Sequence, residues 1–245
     1  MIADRKHGRT VCDCVAAVKW CCLPVEGKKT LASIICLHTA RVHVATFAAL
    51  FGEAGFAGTV DHVVRPGLLA RARASGAGAV RADLDRTVDD MAGADAVLCT
   101  CSTLGPLIDD LARTDPRLVR IDRPMMTRAA TLGGAALVVI CLDSTRAATL
   151  DLLHDIAAQK DVDLRAEPLL CAEAWPLFEA GRTDDFARAL AAKVRHKVAQ
   201  RQDLRSVVLA QASMMGAQDH LADIGLPVLS SPPLAVDRAI AIARS

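Results

Sequence analysis

Two patterns of hydrophobic positions alternate along the chain from Ala32 onward. Short aliphatic runs bounded by polar residues and glycines are followed by amphipathic segments, which is typical of β-α-β units and a mostly parallel sheet. The longest amphipathic segment predicts a helix over Thr183–Gln202, with apolar residues at helical spacing on one face. The aliphatic runs predict these strands: Ser33–Leu37, Thr59–Val64, Asp95–Cys101, Leu118–Ile121, Ala135–Leu142, Asp163–Leu169 and Ser206–Gln211.

The pattern also repeats between the two halves of the chain. Ile35–Thr39 is similar to Ile140–Thr145, and Val97–Ser102 is similar to Val208–Ser213. In each case an aliphatic strand delivers polar residues to the start of a helix. We therefore expect an α/β fold of two pseudo-symmetric lobes with mostly parallel sheets and a cleft between them.

Composition excludes several classes of partner. Of the 245 residues, 52% are hydrophobic, 3% are aromatic and none is Tyr, which predicts aliphatic cores and no aromatic cage. The formal net charge of +1 favours neither a nucleic acid nor a membrane surface as a partner. No apolar run approaches the ~20 residues that span a bilayer. Nine cysteines without regular pairing indicate a reducing compartment, so the cytoplasm is the expected location.

Residues 1–31 differ from the rest of the chain and are expected to form a peripheral extension. They contain Cys12, Cys14, Cys21 and Cys22, but this spacing is not the paired C-x-x-C of structural zinc sites. The sequence therefore predicts neither a metal nor another cofactor.

The segment Val97–Pro106 carries the clearest candidate for catalysis. Its apolar run ends in the Cys101 thiol and the hydroxyls of Ser102 and Thr103, followed by a Gly-Pro helix start. Open α/β sheets bind ligands at the carboxyl ends of their strands, where a thiolate can remove a proton from carbon. Cys99 shares the strand face of Cys101 but lies deeper in the apolar run, so we expect it to be a packed thiol.

These residues resemble those of the aspartate/glutamate racemase superfamily from about Ala32 onward. Cys101-Ser102-Thr103 is similar to the Cys-Asn-Thr of its first catalytic motif, and Ile121–Met125 is similar to the segment that leads into the second lobe. His38 and Thr39 stand where many members carry Asp-Ser. Ser144 and Thr145 match the hydroxyl-bearing turn that holds a substrate carboxylate.

The resemblance implies a cofactor-independent isomerase of two flavodoxin-like lobes. Lobe one would comprise residues 32–122 plus about 225–245, and lobe two residues 123–224. The expected substrate is a small carboxylate or amino acid, and a homo-oligomer is left open. The resemblance also implies Cys101 as acid/base, with the substrate held by polar groups of Thr39, Ser102, Thr103, Ser144, Thr145, Gln211 and Ser213.

The departure from the superfamily pattern concerns the second catalytic cysteine. The superfamily's racemases place a thiol on each side of the substrate carbon, whereas the corresponding segment here, Leu209–Met214, has none. One alignment puts Gln211 in that position and the other puts Ala212 there. Neither side chain can act as a base.

Three reactions remain compatible with a single Cys101 thiol. His38 could serve as the second acid/base, because imidazole titrates near neutral pH. The thiol could instead protonate an enediolate formed by loss of CO2, or add to an unsaturated diacid in a cis-trans isomerisation. A non-catalytic protein that binds small carboxylates is the alternative from another class.

Overall fold

Within residues 31–245, which the computed structural model describes, eight strands form two parallel sheets of four strands each. The strand order is β2-β1-β3-β4 in the first sheet and β6-β5-β7-β8 in the second. The extension expected at the amino terminus lies outside the described residues, apart from Leu31. The strands are β1 (Ser33–His38), β2 (Thr59–Val64), β3 (Ala96–Cys99), β4 (Leu118–Arg120), β5 (Gly134–Ile140), β6 (Leu164–Leu170), β7 (Leu204–Leu209) and β8 (Val228–Ser230).

Each sheet is covered by helices on both faces, and its central strands are therefore largely apolar on both sides. In the first sheet, α1 and α9 cover one face, and α2 to α4 cover the other. In the second sheet, α5 and α6 cover one face, and α7 and α8 the other. No helix of residues 31–245 has the length and apolar content needed to cross a membrane. The helices are α1 (His43–Glu53), α2 (Pro66–Ser75), α3 (Arg81–Asp89), α4 (Gly105–Leu111), α5 (Arg123–Leu132), α6 (Arg146–Gln159), α7 (Trp175–Glu179), α8 (Thr183–Ala199) and α9 (Ser231–Ala243).

Two helices pack on the sheet of the opposite half. Helix α5 follows β4 of the first sheet, but its Met125 and Ala129 pack against the second sheet. Helix α9 follows β8 of the second sheet, but its Val236 and Ile240 pack against the first sheet. The chain therefore reaches the first sheet again at Ser231, the start of α9, after β8 has paired with β7. The lobe bounds expected from the sequence stay a prediction.

The identical strand order confirms the expected pseudo-symmetric halves, and backbone hydrogen bonds define which residues correspond. Thr100 N donates to Leu37 O at 3.0 Å, and Ala210 N donates to Val139 O at 3.1 Å. Leu37 thus corresponds to Val139, and Thr100 corresponds to Ala210.

This correspondence corrects the repeat inferred from the sequence. Cys36 corresponds to Val138 rather than to Cys141, which lies three residues further on. The match of Ile35–Thr39 with Ile140–Thr145 is wrong in register, because aliphatic strands resemble one another at several offsets.

Candidate active site

Cys101 lies just beyond β3, at the carboxyl end of the first sheet. Its backbone is extended and leads into a short 3-10 helix, Ser102–Leu104, which continues into α4. The residue is 7% exposed, whereas Ser102 and Thr103 are exposed beside it. Cys99 is fully buried, and burial raises the pKa of its thiol to about 12. As expected from the sequence, Cys99 is a packed thiol.

A buried ion network holds the start of α4 in place. The Arg120 guanidinium donates to Asp122 and to Asp109, at 2.6 Å for the latter. Arg123 also donates to Asp109. Burial alone would raise the pKa of Asp109, but the hydrogen bonds from Arg123 and Arg120 hold it below its usual range. Gly105 packs directly on Arg120, since a Cβ there would lie 2.3 Å from Arg120 Nε.

Gln211 occupies the position in lobe two that Cys101 occupies in lobe one. Each directly follows one of the corresponding residues Thr100 and Ala210, and each has an extended backbone, with φ of −110° at Cys101 and −115° at Gln211. Each also begins a 3-10 helix. Of the two alignments left open by the sequence, the structure therefore selects Gln211 over Ala212.

The Gln211 carboxamide has a partner in the adjacent strand connection. Its Oε1 accepts a hydrogen bond from Cys141 N at 2.8 Å. Gln211 thus satisfies a backbone donor just beyond β5. A carboxamide is too weak an acid and too weak a base to exchange a proton with a substrate carbon.

The remaining hydroxyls expected to bind substrate lie at the carboxyl ends of both sheets. Thr39 is buried after β1, and Ser144 is exposed after β5. Thr145 donates to Leu142 O at 2.8 Å, and the buried Ser213 Oγ has no hydrogen-bond partner among the described residues. Convergence of these groups with Cys101 on one cleft stays a prediction.

The His38 ring is bonded to Thr100, the residue before Cys101, but packs on the other face of the first sheet. Cys101 packs on the face covered by α2 to α4, whereas the His38 ring lies on the opposite face, 5.6 Å from the ring of Phe47. His38 has no exposed surface and is hydrogen-bonded to Thr100 and His62. Burial of the ring disfavours its expected role as second acid/base, which stays a prediction.

Burial of His38 also determines its charge. Desolvation, with smaller contributions from the nearby charges of His62 and His43, lowers the pKa of His38 to about 4. The imidazole is therefore neutral near pH 7. The proximity of Cys36, His38 and His62 was not predicted from the sequence, although alternation along β1 places residues 36 and 38 on one face.

Two lobe-two cysteines that the sequence analysis gave no role lie at the ends of β5 and β6. Cys141 and Cys171 are both buried. Burial raises the pKa of Cys141 to about 12 and that of Cys171 to about 11. Burial therefore favours the protonated form of both thiols near neutral pH.

Two open cavities on the molecule are separate from Cys101. The first, of about 590 Å³, is lined by α2 and α3, with Arg65 and Asp83 among its residues. The second, of about 530 Å³, lies between α4, α5 and α9 and includes Arg120 and Arg238. Neither contains a predicted site residue.

Two parallel α/β lobes with a thiol just beyond a central strand form the two-lobed fold of the racemase class of proteins. The sequence model of the Asp/Glu/Hydantoin racemase family matches residues 65–239, and the chain belongs to this family. The resemblance read from the sequence is thereby confirmed. None of the curated proteins matches this chain in sequence.

Several solved structures share the fold. Aspartate racemase from Picrophilus torridus is 13% identical, with 87% of this chain and 94% of that chain covered and a TM-score of 0.57. Glutamate racemase from Thermus thermophilus is 18% identical, with 89% and 82% covered and a TM-score of 0.59. A glycine-to-cysteine mutant of arylmalonate decarboxylase is 16% identical, with 87% and 93% covered and a TM-score of 0.56.

Proposed function

We propose that this protein transfers a proton at the carbon next to the carboxylate of a small amino acid or carboxylic acid, with Cys101 as the acid/base. The observation that carries the proposal is the position of Cys101. Its thiol stands just beyond β3 with exposed hydroxyls at Ser102 and Thr103, in a chain of the Asp/Glu/Hydantoin racemase family. The substrate carboxylate would be held by these hydroxyls and by those of Ser144 and Thr145.

Besides the substrate, the proposed proton transfer involves only the Cys101 sulfur and one proton. The Cys101 thiolate removes the α-proton, and the electron pair of the C–H bond moves into an enediolate. Hydrogen-bond donors around the carboxylate stabilise the developing negative charge. The same sulfur then returns the proton, because Gln211 stands in the corresponding position of lobe two and cannot supply one. We therefore expect the α-proton to be exchanged on one side of the substrate carbon only.

A single thiol also supports a second reaction, the loss of CO2 from a malonate-type diacid. Breaking the C–C bond leaves an enediolate and CO2, and Cys101 delivers its proton to the carbon from one side. The observation that favours this lyase reaction is the Gln211 side chain in place of a second thiol. The structural similarity to arylmalonate decarboxylase is consistent with it.

Incubation in D2O tests both reactions. Candidate amino acids and disubstituted malonates are incubated with the protein, and deuterium at the α-carbon is followed by NMR and by chiral chromatography. We expect deuterium on one face only, or CO2 and a single deuterated enantiomer. Cys101→Ser should lower the rate by several powers of ten, because an alcohol is a far weaker acid than a thiol.

Cys99→Ala is the matched control, since it removes a buried thiol two residues away. It should retain the exchange. Undiminished exchange in Cys101→Ser would contradict the proposal. If the wild-type protein exchanges no α-proton but binds small carboxylates, it is a non-catalytic binding protein.

A further inference from the structure

We propose that Cys36, His38 and His62 form a binding site for a zinc-class transition-metal ion. The three residues lie on neighbouring strands, on the face of the first sheet that α1 and α9 cover. Cys101 packs on the opposite face. The site is therefore separate from the proposed proton-transfer chemistry and would serve the fold.

The backbone register brings the three ligands together. Cys36 and His38 alternate along β1 and so point to one face, and His62 of β2 is the direct partner of Cys36. One ligand atom from each residue, a thiol sulfur and two ring nitrogens, lies within 4.8 Å of the other two. His38 Nε2 and His62 Nδ1 are 2.9 Å apart. Such a triangle suits one ion with bonds of about 2.3 Å to sulfur and about 2.0 Å to nitrogen.

A hydrogen-bond chain orients the His38 ring for this role. The Thr100 hydroxyl donates to Leu37 O at 3.3 Å, so its oxygen is free to accept a hydrogen bond from His38 Nδ1 at 2.8 Å. Nδ1 then carries the ring proton, and Nε2 directs its lone pair toward His62. Histidines that bind metals are held by such a partner on the second nitrogen.

The ligand types determine which ions fit. Burial raises the pKa of the Cys36 thiol to about 12, so the ion must displace its proton to solvent on binding. The resulting thiolate with two neutral imidazoles favours zinc and similar ions over Mg²⁺ or Ca²⁺, which prefer oxygen ligands. Cys36 and His38 have no exposed surface, and His62 is half-buried on the edge strand β2. The ion would enter past His62 and would join the edge strand to the central strand β1.

Metal titration of the full-length, tag-free chain tests the proposal. Cys12, Cys14, Cys21 and Cys22 are replaced by serine in all samples, so that no other thiol-rich segment competes. Zn²⁺ binding is measured by calorimetry, and Co²⁺ is used as a spectroscopic probe. We expect one ion per chain, a thiolate-to-cobalt charge-transfer band, and no comparable binding of Mg²⁺.

Variants then assign the ligands. His62→Gln and Cys36→Ala should each weaken Zn²⁺ binding at least about 100-fold, and Thr100→Val by about 10- to 100-fold through loss of the His38 partner. Two matched controls should bind as before: His154→Gln, on an exposed position of α6, and Cys99→Ala, a buried thiol in the same sheet.

His62→Gln decides the outcome even if Cys36→Ala fails to fold, because His62 is half-buried on an edge strand. Circular dichroism of the metal-free variant checks its fold. Binding that is absent in the parent protein, or unchanged in folded His62→Gln, would overturn the proposal. The cluster would then be only a hydrogen-bonded network.

Discussion

Gly105, four residues after the candidate acid/base Cys101, packs closely against Arg120. A Cβ at this position would lie 2.3 Å from Arg120 Nε and 2.6 Å from Arg120 Cζ. Arg120 cannot move aside freely, because it is buried and bonded to Asp109 and Asp122. Gly105→Ala should therefore lower the free energy of unfolding by about 3 kcal/mol, the size expected for breaking a buried ion pair.

Chemical denaturation measures this loss, and Gly67→Ala is its control. Gly67 lies in α2, where an added Cβ meets nothing within 4 Å. Alanine should be neutral or slightly stabilising there, by up to about 1 kcal/mol. Equal effects of the two substitutions would show that the contact with Arg120 is unimportant.

His38 should make stability depend on pH. Its pKa of about 4 in the folded protein lies below the ordinary value of 6.5, so the unfolded chain binds the proton more readily. The stabilisation is complete above pH 6.5 and is lost as the pH falls toward 4, by about 3 kcal/mol in total. Denaturation between pH 4 and 7, with a chelator present, should show this slope.

His38→Gln should flatten that part of the profile, because glutamine does not titrate. His154→Gln, at an exposed position, should keep the wild-type slope. If His38→Gln and the wild type lose stability in parallel as the pH falls, carboxylates rather than His38 cause the pH dependence.

At the level of elements, hydrophobic patterning predicted the interior of the sheets better than their ends. All the predicted strands are present, and the predicted helix Thr183–Gln202 is α8, Thr183–Ala199. The strand predicted to reach Cys101 ends at Cys99, although Cys101 keeps an extended backbone and the 3-10 helix starts only at Ser102. β8 was missed because it has only three residues and is followed directly by a Ser-Pro-Pro helix start.

Of the candidate site, the sequence alone pointed to the residue whose side chain is itself reactive. Cys101 stood out because a thiol and two hydroxyls follow an apolar run. The role of Gln211 depended on register, and the burial of His38 depended on which helices cover the sheet. Both are tertiary features that a single sequence does not encode locally.

The packing of α9 on the first sheet leads to a prediction about that helix. Ile240 is 6% exposed and contacts the core of lobe one, although α9 follows a strand of lobe two. Ile240→Ala should lower the free energy of unfolding by about 2 to 5 kcal/mol, the range for truncating a large buried aliphatic side chain. Thermal and chemical denaturation measure the loss.

Asp237→Ala on the exposed side of α9 is the matched control. Surface changes of this kind usually stay within about 0.5 kcal/mol. A small loss in Ile240→Ala, close to that of the control, would mean that α9 is not an essential cover of the first sheet.

For the whole molecule, the pseudo-symmetry of the two lobes predicts how a second base could be introduced. Gln211→Cys places a thiol at the position that corresponds to Cys101. We expect deuterium exchange to change from one face to both faces of the substrate carbon, with racemic product. The lost hydrogen bond to Cys141 should cost only about 1 kcal/mol.

Ala212→Cys is the control for this experiment, because it puts the thiol one residue further along the same segment. Ala212 packs with the cluster of α1 and α9, so the new sulfur should leave exchange one-sided. Two-sided exchange in Ala212→Cys but not in Gln211→Cys would mean that the hydrogen-bond register misassigns the two lobes.

The exchanged positions of α5 and α9 bear on how the chain folds as it is synthesised. Strands β1, β3 and β4 leave the ribosome early, but the apolar face that they form is completed by α9, which is translated long after them. Helix α5, by contrast, covers one face of the second sheet and is synthesised before the strands of that sheet. Helix α1 covers only part of that face. The nascent first half therefore exposes the rest of it until α9 is made, the kind of apolar surface that chaperones bind.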